Sequence, residues 1–252
     1  MGPVHYLIGK DALLRLSCFP KEFIRIMTKS HGIICLTFDD HDLTGWQTAI
    51  PLFAEFNAHA LFSFSGEITA DAVTCMKALA TAGHTIGLHT VHHADAPEYI
   101  AAHGAQAYFA DEIEPQLAVC RAAGIAVKSF AFPNNKFNDE ALALLAPLFT
   151  RFRAGLGGKG EDAAFLTRDE LPTTRVMRGI GLGEYYHTQV ADVLAAIDRA
   201  ADTDTCLTFF SHGIAPGAKH VNMPTELLTA ILKHGRERGC EFVGFDDLPT
   251  IE

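Results

Sequence analysis

The chain reads as an α/β protein, a single (β/α) barrel of about seven to eight parallel strands. Three observations predict it. Short apolar runs alternate with amphipathic stretches from residue 33 to the end of the chain, the pattern of a parallel sheet under covering helices. The runs are continuously apolar rather than alternating, as in Ile33-Ile34-Cys35-Leu36-Thr37-Phe38, so both faces are expected to be buried. Roughly eight such runs occur without an internal linker, a sequence repeat or the glycine fingerprint of a dinucleotide fold. That number favours a closed or nearly closed barrel over an open doubly wound sheet.

Each element has its own signal. The first strand ends abruptly at Asp39-Asp40, and a helix over 45–57 leads to a short strand at 60–64. Residues 69–80 carry Val73, Met76, Leu79 and Ala80 at helical spacing and stop before Gly83, a C-terminal signal. The strand at 85–88 runs straight into His89. A long helix over 106–123 ends at Gly124, the strand at 127–132 stops at Pro133, and 139–145 is helical. A strand follows at 149–154. The Gly-rich stretch 155–160 lacks phosphate-loop spacing and is expected to be a mobile loop over the site. Then come a strand at 174–180, a helix over 188–201 with Val190, Val193, Leu194 and Ile197 on one face, and a strand at 205–210 ending in Ser211-His212. A helix over 225–238 and a strand at 241–245 close the chain. Residues 1–32 are expected to form an N-terminal extension packed on the 33–252 barrel, with one or two short helices between residues 10 and 27.

Composition narrows the function. With 48% hydrophobic and 20% charged residues among 252, the chain has ordinary globular content. A net charge of −10 without a Lys/Arg block argues against nucleic-acid or anionic-membrane partners. No stretch approaches the length of a membrane span. The start Met1-Gly2-Pro3-Val4-His5-Tyr6 lacks a basic region, apolar run and cleavage site, which gives the expectation of a cytoplasmic protein. Six cysteines contain no CxxC pair and read as reduced structural thiols.

Four strands end in polar groups: Asp39/Asp40, His89 with His93, Pro133-Asn134-Asn135, and His212. In a barrel all four gather at one rim, where such folds place their chemistry. Two imidazoles four residues apart can face one ion, and one added carboxylate completes a two-His, one-carboxylate set with open positions. A chance histidine pair is the plain alternative among thirteen histidines; its place at a strand end beside Asp-Asp counts against chance.

Thr37-Phe38-Asp39-Asp40 and Gly83-His84-Thr85-Ile86-Gly87-Leu88-His89-Thr90-Val91-His92-His93 resemble the first two motifs of the NodB-like polysaccharide deacetylases, carbohydrate esterase family 4. Ser129-Phe130-Ala131-Phe132-Pro133 resembles the third motif, and Leu207-Thr208-Phe209-Phe210-Ser211-His212 the last. The resemblance implies a distorted (β/α) barrel that removes N-acyl groups, usually acetyl, from amino sugars with one divalent metal, zinc first, cobalt or nickel next. By that resemblance Asp39 is the general base, Asp40, His89 and His93 the metal ligands, His212 the general acid, and the Asn134 backbone N–H the oxyanion donor.

Some positions depart from the family. His41 replaces a glycine after the aspartate pair and is expected to touch substrate. The third-motif arginine is missing, with Arg153 or Arg175 as its possible substitute. Trp46 could stack on a sugar ring or simply pack; His41, Trp46, Pro133 and Arg175 form the candidate substrate-binding set. His92 and His84 read as a non-ligand and a structural residue. The expected partner is an N-acylated sugar, or a small non-sugar amide if the protein is a deformylase or related carbon–nitrogen hydrolase. From other classes, a non-haem iron oxygenase is disfavoured by the strand–helix alternation, and an inactive carbohydrate-binding module by the intact candidate set.

Overall fold

A computed structural model describes residues 31–251. The expected extension over 1–32, apart from His31 and Gly32, and its short helices lie outside the described residues. The strands are β1 (Ile33–Asp40), β2 (Ala60–Phe64), β3 (Thr85–Leu88), β4 (Ser129–Ala131), β5 (Arg151–Gly155), β6 (Phe165–Leu166), β7 (Val176–Gly181), β8 (Cys206–Ser211), β9 (Ile214–Ala215), β10 (Met223–Pro224) and β11 (Glu241–Phe242). Strands β1-β2-β3-β4-β5-β7-β8 pair in parallel in that order, and β8 pairs in parallel with β1, closing a seven-stranded barrel.

The barrel is uneven. β7 meets β8 only at Ile180↔Phe209 and Gly181↔Phe210, while lower on β8 the antiparallel β6 pairs Phe165 with Leu207 and Leu166 with Cys206. On the other side, β11 takes the start of β1 through Ile33↔Glu241, whereas β2 pairs only from Leu36 onward. The expected strand at 241–245 is therefore shorter, and Phe245–Asp247 turns into a 3-10 helix instead. The small pair β9–β10 forms a lip beyond β8.

Helices cover the outside: α1 (Leu43–Glu55), α2 (Ala70–Thr81), α3 (Ala96–His103), α4 (Ala105–Tyr108), α5 (Glu114–Ala123), α6 (Asp139–Leu145), α7 (Val190–Thr203) and α8 (Thr225–Glu237). Asp42, Thr69, Asp95 and Asn138 each cap a helix N-terminus with the side-chain oxygen. The expected 106–123 helix is one rod interrupted by a π turn at Phe109–Ile113, between α4 and α5.

Strand alternation assigns the two faces of β1. Ile34, Leu36 and Phe38 join the aromatic core under the helices, where Phe38 stacks on Phe62 and meets Phe53 of α1 edge-on. Ile33 and Cys35 join a separate apolar cluster with Leu61, Met177 and Cys206. By the same two-residue period Thr37 and Asp39 follow Cys35 up the barrel interior. Asp39 is thus placed inside by register, and Asp40, at φ +84°, turns out at the rim.

Candidate metal centre and active site

The rim is stitched together by backbone bonds. Ser65 N–H donates to Asp40 O, His89 N–H to Phe64 O, and Gly66 N–H to Thr90 O. These bonds bring the end of β1 and the loop after β3 to one place. Asp40 Oδ1 lies 3.8 Å from His89 Nε2 and 3.9 Å from His93 Nε2, and one donor atom from each residue lies within 4.8 Å of the others. These gaps exceed hydrogen-bond length and are close to the roughly 3.4 Å between two ligands that each sit about 2.1 Å from one tetrahedral ion.

His89 is in the chemical state a metal needs. His89 Nδ1 is 2.8 Å from Ala131 O and donates to it, which leaves the Nε2 lone pair facing Asp40. Burial, with the nearby Arg153 charge, holds the His89 pKa down to about 3, so the ring is neutral at any ordinary pH. One carboxylate and two imidazoles around an open side fit a single divalent ion of the zinc type.

Beneath this set lies Asp39, fully buried. Its Oδ2 accepts from Arg153 Nη2, and the other end of that guanidinium donates to Asn135 Oδ1. The guanidinium also lies over the Phe210 ring, 4.7 Å from its centroid. Asp39 Oδ1 is buried with no hydrogen-bond partner among the described residues, as an acceptor reserved for something else would be. Burial raises the Asp39 pKa, and Arg153 opposes that rise. Of the two arginines that could replace the missing one, the structure brings Arg153 to the site. Arg175 stands at the opposite end of β7, exposed, with Nη1 3.3 Å from Ala146 O. Its expected substrate contact is corrected: the parallel strands carry it away from the rim.

His212 follows β8. Its Nδ1 donates to Val221 O at 3.1 Å, and its carbonyl accepts the Trp46 indole N–H at 3.1 Å. Asp42 joins the same corner: Oδ1 caps α1 at Gly45 N, and Oδ2 accepts from Ile214 N at 2.8 Å. Trp46 is 0% exposed and packs on Phe62 and Phe64. Sugar stacking is therefore excluded for it, and the residue anchors the His212 backbone instead. Pro133 is also buried; it shapes the turn rather than presenting a face to substrate. Asn134 and Asn135 follow it at φ +54° and +60°, a conformation asparagine tolerates better than most residues.

His41 is exposed, with Nδ1 3.0 Å from Ser65 O. With Asp40, Asp42, Gly213, Ala218 and Asn222 it lines a cleft of about 460 Å³ at the rim. A larger depression of about 550 Å³, between the 183–190 segment and α8, shares Ala218 but contains none of the candidate catalytic groups. The 155–160 segment begins against Asn135, beside the site, and Arg178 Nη1 donates to both Gly155 O and Leu156 O.

Tyr186 was not legible from sequence. Its ring lies parallel to that of His212, with centroids 6.5 Å apart, and edge-on to Phe210. Partial burial lifts its phenol to about 12. Glu112 and Gln116 were also missed; both are buried against the loop that carries His89 and His93.

The polysaccharide deacetylase family model matches residues 27–150. No curated protein matches the chain. Among solved structures, the chitin deacetylase from the fungal pathogen Colletotrichum lindemuthianum superposes with TM-score 0.62 at 15% identity, over 89% of this chain and 90% of that one. A family 4 carbohydrate esterase from Streptomyces lividans in complex with acetate gives 0.59 at 14% identity, over 88% and 98%. The catalytic domain of a peptidoglycan N-acetylglucosamine deacetylase from Eubacterium rectale gives 0.54 at 14%, over 88% and 93%. At these identities the superpositions establish a shared fold.

Proposed function

We propose that the chain, whose residues 27–150 match the polysaccharide deacetylase family model, hydrolyses the N-acetyl group of an amino sugar or sugar conjugate. The observation that carries this reading is the pairing of two adjacent aspartates in different settings. Asp40 stands at the rim with His89 and His93, while Asp39 sits one residue back, buried, bound to Arg153 and with one oxygen unpartnered among the described residues.

Asp40, His89 and His93 would hold one divalent ion, with zinc the best match to these donors and cobalt or nickel next. When bound, such an ion polarises an amide carbonyl and lowers the pKa of a coordinated water. Asp39 Oδ1 would accept that water's proton, and Arg153, gripping Oδ2, orients the carboxylate and opposes the rise that burial imposes on its pKa. The Asn134 backbone N–H, in the turn after β4, is the candidate donor to the oxyanion. His212 delivers a proton to the departing amine from Nε2, because Nδ1 is committed to Val221 O. His41, at the cleft wall, is the one member of the expected substrate-binding set that remains exposed at the rim.

The test is acetate release from N-acetylglucosamine oligomers by zinc-loaded protein. The wild type is expected to turn over, and Asp39→Asn to lose about 10²–10⁴-fold in kcat. Equal rates for the two, or no acetate from any N-acetylated sugar or small amide, would overturn the assignment.

A further inference from the structure

We infer that Glu112 and Gln116 are positioning residues that set the metal affinity of the site by clamping the backbone between its two histidine ligands. The inference rests on the metal centre described above. Neither residue reaches the ligand donors. Both act on the loop that joins them.

Glu112 lies on the π turn at Phe109–Ile113. It is 1% exposed, and no lysine or arginine pairs with it in the described residues. Its three acceptors instead take three donors from consecutive loop residues. Oε2 accepts from His92 N at 2.8 Å, Oε1 from His92 Nδ1 at 2.8 Å, and the carbonyl from Val91 N at 3.1 Å. One turn further along, Gln116, also 1% exposed, directs Nε2 at Thr90 O, Gly66 O and Phe64 O at 2.8–3.1 Å. The two side chains thus tie the His89–His93 loop to α5 and to the end of β2.

Such a clamp has work to do here. Thr90 and His93 both hold positive φ, +65° and +55°, a region non-glycine residues occupy only when their surroundings over-determine it. Released, this loop would relax, and the His93 imidazole would lose its place beside Asp40. The π turn supplies the reason for the helix irregularity. Such single turns recur at functional sites, and here the turn carries the very carboxylate that meets the loop.

The experiment measures zinc dissociation constants of the full chain by competition with a chromophoric chelator. Outer partners of metal ligands commonly contribute about 10–100-fold to affinity, and Glu112→Ala is expected to lose that much. Glu112→Gln should retain most of it, because the amide can accept from His92 N and donate to the opposite imidazole tautomer. His92→Ala, whose side chain is exposed, removes one of the three bonds with little risk to folding and should cost a smaller factor. Arg121→Ala, on the same rod but paired with Glu114, should leave the constant unchanged. At saturating zinc the Glu112→Ala enzyme is expected to regain most of the wild-type kcat. Wild-type affinity in both Glu112→Ala and His92→Ala would overturn this inference alone. An absence of zinc binding in the wild type would overturn the metal centre and this inference with it.

Discussion

The Asp39 carboxylate is pulled in two directions: burial drives its pKa up, and the Arg153 guanidinium drives it down. If Asp39 works ionised, activity must rise with pH through its titration. Removing the opposing charge moves that rise to higher pH. Arg153→Met is therefore expected to shift the acidic limb of kcat/KM upward by at least one pH unit, about 1.4 kcal/mol in differential stabilisation, and to lower the plateau. A profile unmoved by the substitution would show that Arg153 does not tune the base. The site was partly legible at this scale. Asp39, Asp40, His89, His93 and His212 stand at strand ends, and strand ends are readable. Arg153 was only one of two options, since a charge inside an apolar strand signals burial without naming its partner. Trp46 and Arg175 misled because an aromatic or a cation near a motif looks like a ligand contact, whereas burial and strand direction, invisible in one dimension, decide.

At the scale of elements, most boundaries followed from capping and glycine signals, and β2, β3 and α6 match the expected ranges. The π turn did not, because one extra residue in a helix leaves the hydrophobic spacing nearly intact. His84 belongs to this scale. Preceding β3, it accepts Ala60 N–H on Nδ1 at 3.1 Å and leaves Nε2 buried without a partner among the described residues, tying β2 to β3 at the end of the barrel far from the site. Burial, with His59 nearby, lowers its pKa to about 4. The unfolded chain takes up this proton near pH 6.5 and the folded chain only near 4, so stability falls as pH drops through that window and the loss saturates below it. Between pH 7 and 4.5 the contribution is about 2 kcal/mol. His84→Gln, which keeps an acceptor for Ala60 N–H, should be less stable at pH 7 yet lose about 2 kcal/mol less on acidification, as urea unfolding at the two pH values would reveal. An identical acid loss in both proteins would contradict the assignment.

The whole molecule explains why these residues meet. Seven parallel strands close through β1 and β8, and closure turns four strand ends scattered over residues 39–212 into one rim. The barrel class was legible from alternation and strand number. The partial β7–β8 seam and the patching by β6 and β11 were not, because register depends on pairings between segments far apart in sequence. A metal held between β1 and the loop after β3 would bridge separate elements, at a site that exists only in the folded chain. Zinc at about 100 times its dissociation constant should therefore raise the unfolding free energy by about 2.7 kcal/mol, seen as a higher Tm that a chelator reverses. The most direct test of the account is metal content of the purified protein by elemental mass spectrometry, with Asp40→Ala alongside. About one zinc, cobalt or nickel per chain, lost in the variant, is the expected result. Equal metal in both proteins, or none in either after soaking with zinc, would contradict the centre on which the proposed chemistry stands.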